Sequence, residues 1–232
     1  GVTNTPRVFY SPGMSLKLIL GNKNYSSWSL RPWLALAEHD IAFEEEIINI
    51  YDPASKAKIL EYSPAGKMPI LLDGENTIWD SIAILETLAD KFPQLDLWPK
   101  DPAARALARS VSAEMHSGFV PLRKAMPMNL KRAPAPPKAG IASDVQADIK
   151  RICDIFRDAR TRFGARGDFL FGAFTAADCM FAPVATRLRT YAVRLDEPCE
   201  EYVGAIHGLS SFRRWKEAAL KETWAQADYD AL

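Results

Sequence analysis

The stretch Lys67-Met68-Pro69-Ile70-Leu71-Leu72-Asp73-Gly74, followed by Trp79-Asp80-Ser81, narrows the folds open to this chain more than any other feature. A proline opening an apolar strand directly after a Gly-Lys turn is a candidate for a cis peptide bond. Only X-Pro bonds carry a cis penalty small enough to be built into a fold. A cis bond here turns the Met68 main chain outward, where its N–H and C=O can pair with an extended peptide lying alongside. Asp80-Ser81 then opens a helix, which brings N–H groups, a hydroxyl and a carboxylate to one spot. Anions suit the first two and an ammonium suits the third.

The surrounding elements alternate. Strands from Leu16 to Leu20, Phe43 to Ile48, Pro69 to Asp73 and Thr77 to Trp79, with helices from Leu30 to Glu38 and Ser81 to Phe92, read as βαβ followed by ββα. Leu30, Trp33, Leu34 and Ala37 form one apolar helical stripe, and Ile82, Leu85, Leu88, Ala89 and Phe92 form another. The Asp73-Gly74-Glu75-Asn76 turn predicts an antiparallel hairpin, while the crossover through the first helix demands a parallel pair. The expected sheet is therefore mixed, in a thioredoxin-like layout over residues 14–93. Residues 94–102, with two prolines, read as a linker, and residues 103–232 as an all-helical bundle domain. There Val145, Ile149, Ile152, Phe156, Ala159 and Phe163 step at helical spacing, as do Ala177, Phe181, Val184, Leu188 and Tyr191. Arg132 to Gly140, with three prolines, predicts a mobile loop, and residues 1–13 a flexible extension or an expression remnant.

A second anchor lies at Phe171-Gly172-Ala173-Phe174-Thr175-Ala176-Ala177-Asp178, where Thr175 caps a helix and Asp178 can return a bond to the Thr175 N–H. The proline-led strand, Asp-Gly turn, short strand, acidic-Ser helix start and Thr-x-x-Asp box together resemble the glutathione transferases, from Leu16 to about Trp224. The resemblance implies that the Met68 main chain beside Pro69 pairs with the cysteinyl backbone of glutathione, and that Asp80 and Ser81 hold its γ-glutamyl end. Lys56, Lys58 and Lys67 fall in the segment that meets the glycine carboxylate, although a single lysine also reads as a solvated charge.

In such a fold the loop Asn24-Tyr25-Ser26-Ser27-Trp28-Ser29-Leu30-Arg31-Pro32 faces the proline strand. A hydroxyl there can donate to a ligand sulfur, and the helix N-terminus adds positive potential, both of which favour thiolate. Ser-Ser-x-Ser-x-Arg looks like the serine-type active site of the zeta class and its bacterial relatives. Matched on the arginine, Ser26 takes the place of the catalytic serine with Ser27 beside it, and Trp28 stands where the zeta pattern has cysteine. Read without the resemblance, the same serines are helix caps. Trp28, Met115, His116 and Phe119 are candidates for an apolar acceptor pocket between the domains, with core packing as the alternative for each.

Composition excludes several classes. With 29 basic and 29 acidic residues, bulk electrostatics call for neither nucleic acid nor an anionic membrane. No apolar run reaches the roughly 18 residues of a membrane span, and a cytoplasmic location is expected. Cys153, Cys179 and Cys199 form no disulfide framework, and His39, His116 and His207 lack metal-ligand spacing, so no metal is expected.

The resemblance thus implies an enzyme without a metal that joins glutathione to a small apolar electrophile and forms a homodimer through an edge near Trp79. A rival is an isomerase that uses glutathione as a cofactor, as the zeta class does with maleylacetoacetate. Its dicarboxylate needs cations, and Arg187 and Arg189 miss the zeta class's substrate arginine, where Thr190 stands. A non-catalytic regulatory or scaffold module is a third reading, and it predicts loss of the serine or acidic-Ser elements, both of which are present.

Overall fold

The computed structural model describes residues 15–231; the expected extension at residues 1–13 lies outside them. Four strands, β1 (Leu16–Leu20), β2 (Phe43–Ile47), β3 (Ile70–Asp73) and β4 (Asn76–Trp79), form one sheet in the order β2-β1-β3-β4. β1 runs parallel to β2, and β1/β3 and β3/β4 are antiparallel, which is the mixed sheet expected from the crossover and the hairpin turn. The fold is thioredoxin-like, followed by a helical half.

Strand β1 shows how the sheet is covered. Leu16, Leu18 and Leu20 point into the large core beneath α1 (Ser27–Glu38) and α3 (Ser81–Lys91). Ile19 points the other way, into a small cluster with Ile48, Ile59 and Ile70. This alternation is the period of two expected of a strand buried on both faces. Ile59 lies on α2 (Ser55–Tyr62), a helix absent from the sequence reading; it buries only Ser55 and Ile59, too short a stripe to stand out.

Beyond α3 come α4 (Pro102–Ser117), α5 (Val120–Ala125), α6 (Ser143–Phe163), α7 (Ala176–Thr190), α8 (Glu197–Gly208), α9 (Ser210–Lys221) and α10 (Ala227–Asp230). Nearly all of α7 is buried, and its apolar residues pack in the same continuous core as Leu30 and Leu34 of α1. Interior therefore runs without a break from the sheet to α9. The predicted return bond at the start of α7 is present, with Thr175 N–H donating to the Asp178 carboxylate at 2.8 Å. The same carboxylate accepts from Leu170 N–H at 3.2 Å, from the Thr175 hydroxyl at 3.2 Å and from the Tyr202 hydroxyl at 3.0 Å. All three cysteines are free and buried. No described helix is long and apolar enough to cross a membrane.

Candidate functional site

A cleft opens between the start of α1, the segment before β3, and helices α5 and α7. Its larger cavity, of about 540 Å³, is bordered by Ser26, Ser27, Trp28, Lys56, Lys67 and Met68 on the sheet side. Arg123, Lys124, Met128 and Arg187 border it on the helical side. An adjoining cavity of about 290 Å³ is bordered by Met68, Pro69, Asp80, Ser81 and His116, and Trp28, Lys67, Met68 and Arg123 touch both. Of the residues singled out in the sequence, Ser26, Ser27, Lys56, Lys67, Met68, Pro69, Asp80, Ser81, Trp28 and His116 thus come together.

Met115 and Phe119 do not. Met115 continues the buried stripe of Ala104, Ala108 and Val111 on α4, a spacing of four, three and four residues that points it into the core. Phe119 is likewise core, at a left-handed φ of 56° where the chain turns from α4 into α5. The acceptor-pocket expectation for these two is corrected accordingly. Lys58 also lies away from the cleft, paired with Glu46 at 2.9 Å.

The serine loop is held from behind. Ser26 occupies the N-cap of α1, yet its hydroxyl makes no capping bond. It donates instead to Ser29 Oγ at 2.8 Å, and Ser29 Oγ also accepts from Gly21 N–H at 3.0 Å. Glycine is needed at position 21 for packing reasons: a Cβ there would sit 2.9 Å from Ile50 Cγ2 and 3.0 Å from Ser26 Oγ. The Glu222 carboxylate, from the end of α9, accepts from the N–H groups of Lys23 (2.6 Å) and Asn24 (3.0 Å) and ties the loop to the helical half. The Tyr25 hydroxyl lies 3.1 Å from Asp230 Oδ1 on α10, and the rings of Tyr25, Tyr51 and Tyr229 meet edge to face.

The Met68–Pro69 bond is cis, as expected from the sequence. Asp80 caps α3, accepting from Ile82 N–H at 3.2 Å, at a φ of 75° that favours glycine. Side chains held in such sparsely populated backbone states gather at functional sites. The second Asp80 carboxylate oxygen lies 3.2 Å from His116 Nε2, so α4 reaches across to the start of α3. Ser81 Oγ is buried with no hydrogen-bond partner among the described residues, at the border of the smaller cavity. Lys56 Nζ donates to the Gly66 carbonyl at 3.0 Å.

Trp28 forms the hinge between the cavities. Its ring carries the Arg31 guanidinium 4.2 Å from the centroid and the Arg123 guanidinium at 5.0 Å, and meets the His116 ring edge on at 5.3 Å. Arg31 is fully buried and donates from Nε to the Met180 carbonyl at 3.0 Å. Burial, with Arg187 and Arg123 nearby, pushes its pKa well below the usual guanidinium range.

Residues 25–91 match the model for the glutathione S-transferase N-terminal domain, and residues 122–218 the model for the C-terminal domain. The chain belongs to the glutathione S-transferase family. The chain is 37% identical over 97 residues to the probable maleylacetoacetate isomerase of Caenorhabditis elegans, a match covering 42% of the chain and about half (45%) of that relative. It is 26% identical over 162 residues to a stringent starvation protein A homolog of Pasteurella multocida, covering 69% of each. Among solved structures it resembles a glutathione transferase homolog from Burkholderia gl BGR1 with bound glutathione, at a TM-score of 0.68 and 20% identity, over 90% of this chain and 100% of that one. At that identity the likeness speaks for the fold.

The sequence reading missed Arg123, Lys124, Tyr25, Tyr51 and Tyr229 as cleft residues and set Arg187 aside. Arg187 stands one turn before Thr190 and borders the cleft, whereas Thr190 does not border it and Arg189 faces Glu200 at 3.3 Å. A signal was present: Arg187 interrupts the apolar stripe three residues after Val184 and four before Tyr191, where a cation has no solvent to face.

Proposed function

We propose that this protein binds glutathione along Met68 and the start of α3, activates its thiol with Ser26, and joins the thiolate to a small electrophile held by α5 and α7. The observation that carries the reading is the Ser26 hydroxyl, buried at the cleft wall, free of capping duty and backed by Ser29 and the Gly21 N–H. Hydroxyl hydrogens rotate to suit their partners. Ser29 can therefore donate to Ser26, which leaves the Ser26 hydrogen to point at a sulfur. Ser27, the first residue of α1, borders the same cavity and is the alternative donor. The unpartnered Ser81 hydroxyl and the Asp80 carboxylate suit an α-carboxylate and its ammonium, and Lys56 and Lys67 suit a carboxylate at the other end.

Magnitudes set what the serine contributes. A thiol of pKa about 8.5 is about 3% ionised at pH 7; lowering it by roughly two units takes about 2.7 kcal/mol. Nucleophilicity falls as the thiolate becomes less basic, so the net gain from ionisation is only about threefold. Holding the electrophile beside the sulfur supplies the larger part.

The test uses the thiolate. Ser26→Ala should raise the pKa of bound glutathione by about one unit, roughly 1.4 kcal/mol, with little change in affinity at low pH. Ser27→Ala should do much less. An unmoved thiolate titration in Ser26→Ala would return Ser26 to a structural role, and a shift in Ser27→Ala alone would move the role one residue along.

The isomerase remains as a second reading because Arg187, Arg123 and Lys124 give the helical wall the cations a dicarboxylate needs. In that chemistry glutathione adds and leaves again, so a substrate that isomerises with no net consumption of glutathione distinguishes it. The working unit is proposed to be a cytoplasmic homodimer, with half-exposed Trp79 meeting the partner's first long helix. Light scattering at micromolar concentration should give twice the chain mass, and a monomeric mass removes this part.

A further inference from the structure

We propose that the electrophile carries a carboxylate or a similar planar anion on its apolar body, seated on Arg187 with Arg123 and Lys124 beside it. This names the substrate class of the site proposed above and rests on that reading for the identity of the glutathione half.

Arg187 is 3% exposed, borders the larger cavity, and its Nε and Nη1 have no hydrogen-bond partner among the described residues. Buried polar groups are paired as a rule, and a buried cation without a counter-charge is costly. Burial and the nearby Arg123 push its pKa down to about 10, which still leaves it charged at neutral pH. Among the described residues, those bordering this cavity include Lys56, Lys67, Arg123, Lys124 and Arg187 but neither aspartate nor glutamate. Lys56 and Lys67 lie on the sheet side, with the main chain assigned to glutathione. The other three come from α5 and α7, across the cleft, where glutathione's own carboxylates are not placed.

The geometry also says how such a molecule lies. A guanidinium presents a planar fork of donors that matches a carboxylate with two parallel hydrogen bonds. Arg123 lies over the Trp28 ring, which holds its charge at the cleft wall. With its anion on Arg187, the apolar body rests among Trp28, Pro127, Met128 and Tyr229, in reach of Ser26.

The experiment compares two probes of one shape, naphthoate and naphthamide, titrated against the full chain by tryptophan fluorescence at pH 7. Naphthoate should bind at least about tenfold more tightly, the scale of one charge-assisted bidentate contact. Arg187→Gln should bring the ratio close to one while keeping naphthamide affinity. Equal affinities in the unaltered protein overturn the proposal, and so does a preference that survives in Arg187→Gln. The comparison in the unaltered protein decides even where the variant fails to fold. A glutathione titration of the same samples separates the two readings. Absent glutathione binding with a retained naphthoate preference sinks the transferase reading alone, whereas glutathione binding without that preference sinks the anion site alone.

Discussion

Asp178→Ala will lower the unfolding free energy by about 3–5 kcal/mol at pH 7, the largest loss expected from any single side chain discussed here. The substitution strands the N–H groups of Leu170 and Thr175 and the Tyr202 hydroxyl in an interior that water does not reach. Each orphaned buried donor costs about 1–3 kcal/mol. The effect should depend on pH. Burial outweighs the hydrogen bonds and raises the Asp178 pKa to about 6, above the ordinary 3.8 of an exposed aspartate. The folded state therefore holds the proton more tightly than the unfolded chain. The stability that Asp178 contributes is complete below about pH 4 and declines as the pH rises through about 6, by up to roughly 3 kcal/mol. Urea unfolding of both proteins at pH 5 and pH 7 checks this: the gap should be wider at pH 5. A gap under about 1 kcal/mol at both values would show that the box is not what holds α7 in place.

The second large effect concerns affinity. Asp80→Ala should weaken glutathione binding by about 1.5–3 kcal/mol, the range of a charge-assisted hydrogen bond, without unfolding the protein. Asp80→Asn keeps the shape and the hydrogen bond from Ile82 N–H while removing the charge, and should lose most of the same affinity. Asp80→Gly relaxes the positive φ and separates backbone strain from recognition. Calorimetry at one pH reads all three. Affinity unchanged in the alanine variant counts decisively against the γ-glutamyl assignment, and a loss confined to the alanine variant, absent from asparagine, assigns the effect to the cap.

Much of this was legible from residues alone where local chemistry and tertiary packing agree. Pro69 after Gly66-Lys67-Met68, the Gly74 turn, the stripes of α1 and α3 and the Thr175/Asp178 box each specify their structure within a few residues. Legibility failed where burial depends on distant partners. Helix α2 buries one isoleucine against a face that only exists once β1 and β3 have paired. Met115 and His116 are neighbours on α4, yet packing sends one to the core and the other to Asp80. Arg187 misses the register of the zeta class's substrate arginine, yet its place inside the apolar stripe of α7 puts it at the cleft. Tyr229 sits on a four-residue helix whose contacts with Tyr25 and Tyr51 join opposite ends of the sequence.

Two separate family models describe this chain, which invites treating its halves as interchangeable cassettes. The unbroken interior from β1 to α9 forbids it. α1 carries Ser26 at one end, while its flank is sealed by α7, and Arg31 on α1 is held by a carbonyl of α7. A chimera taking its helical half from another member would lose the surface against which the serine loop is set, and with it the setting of Ser26 on which the proposed function rests. Laboratory recombination should therefore keep α1 and α7 from the same parent.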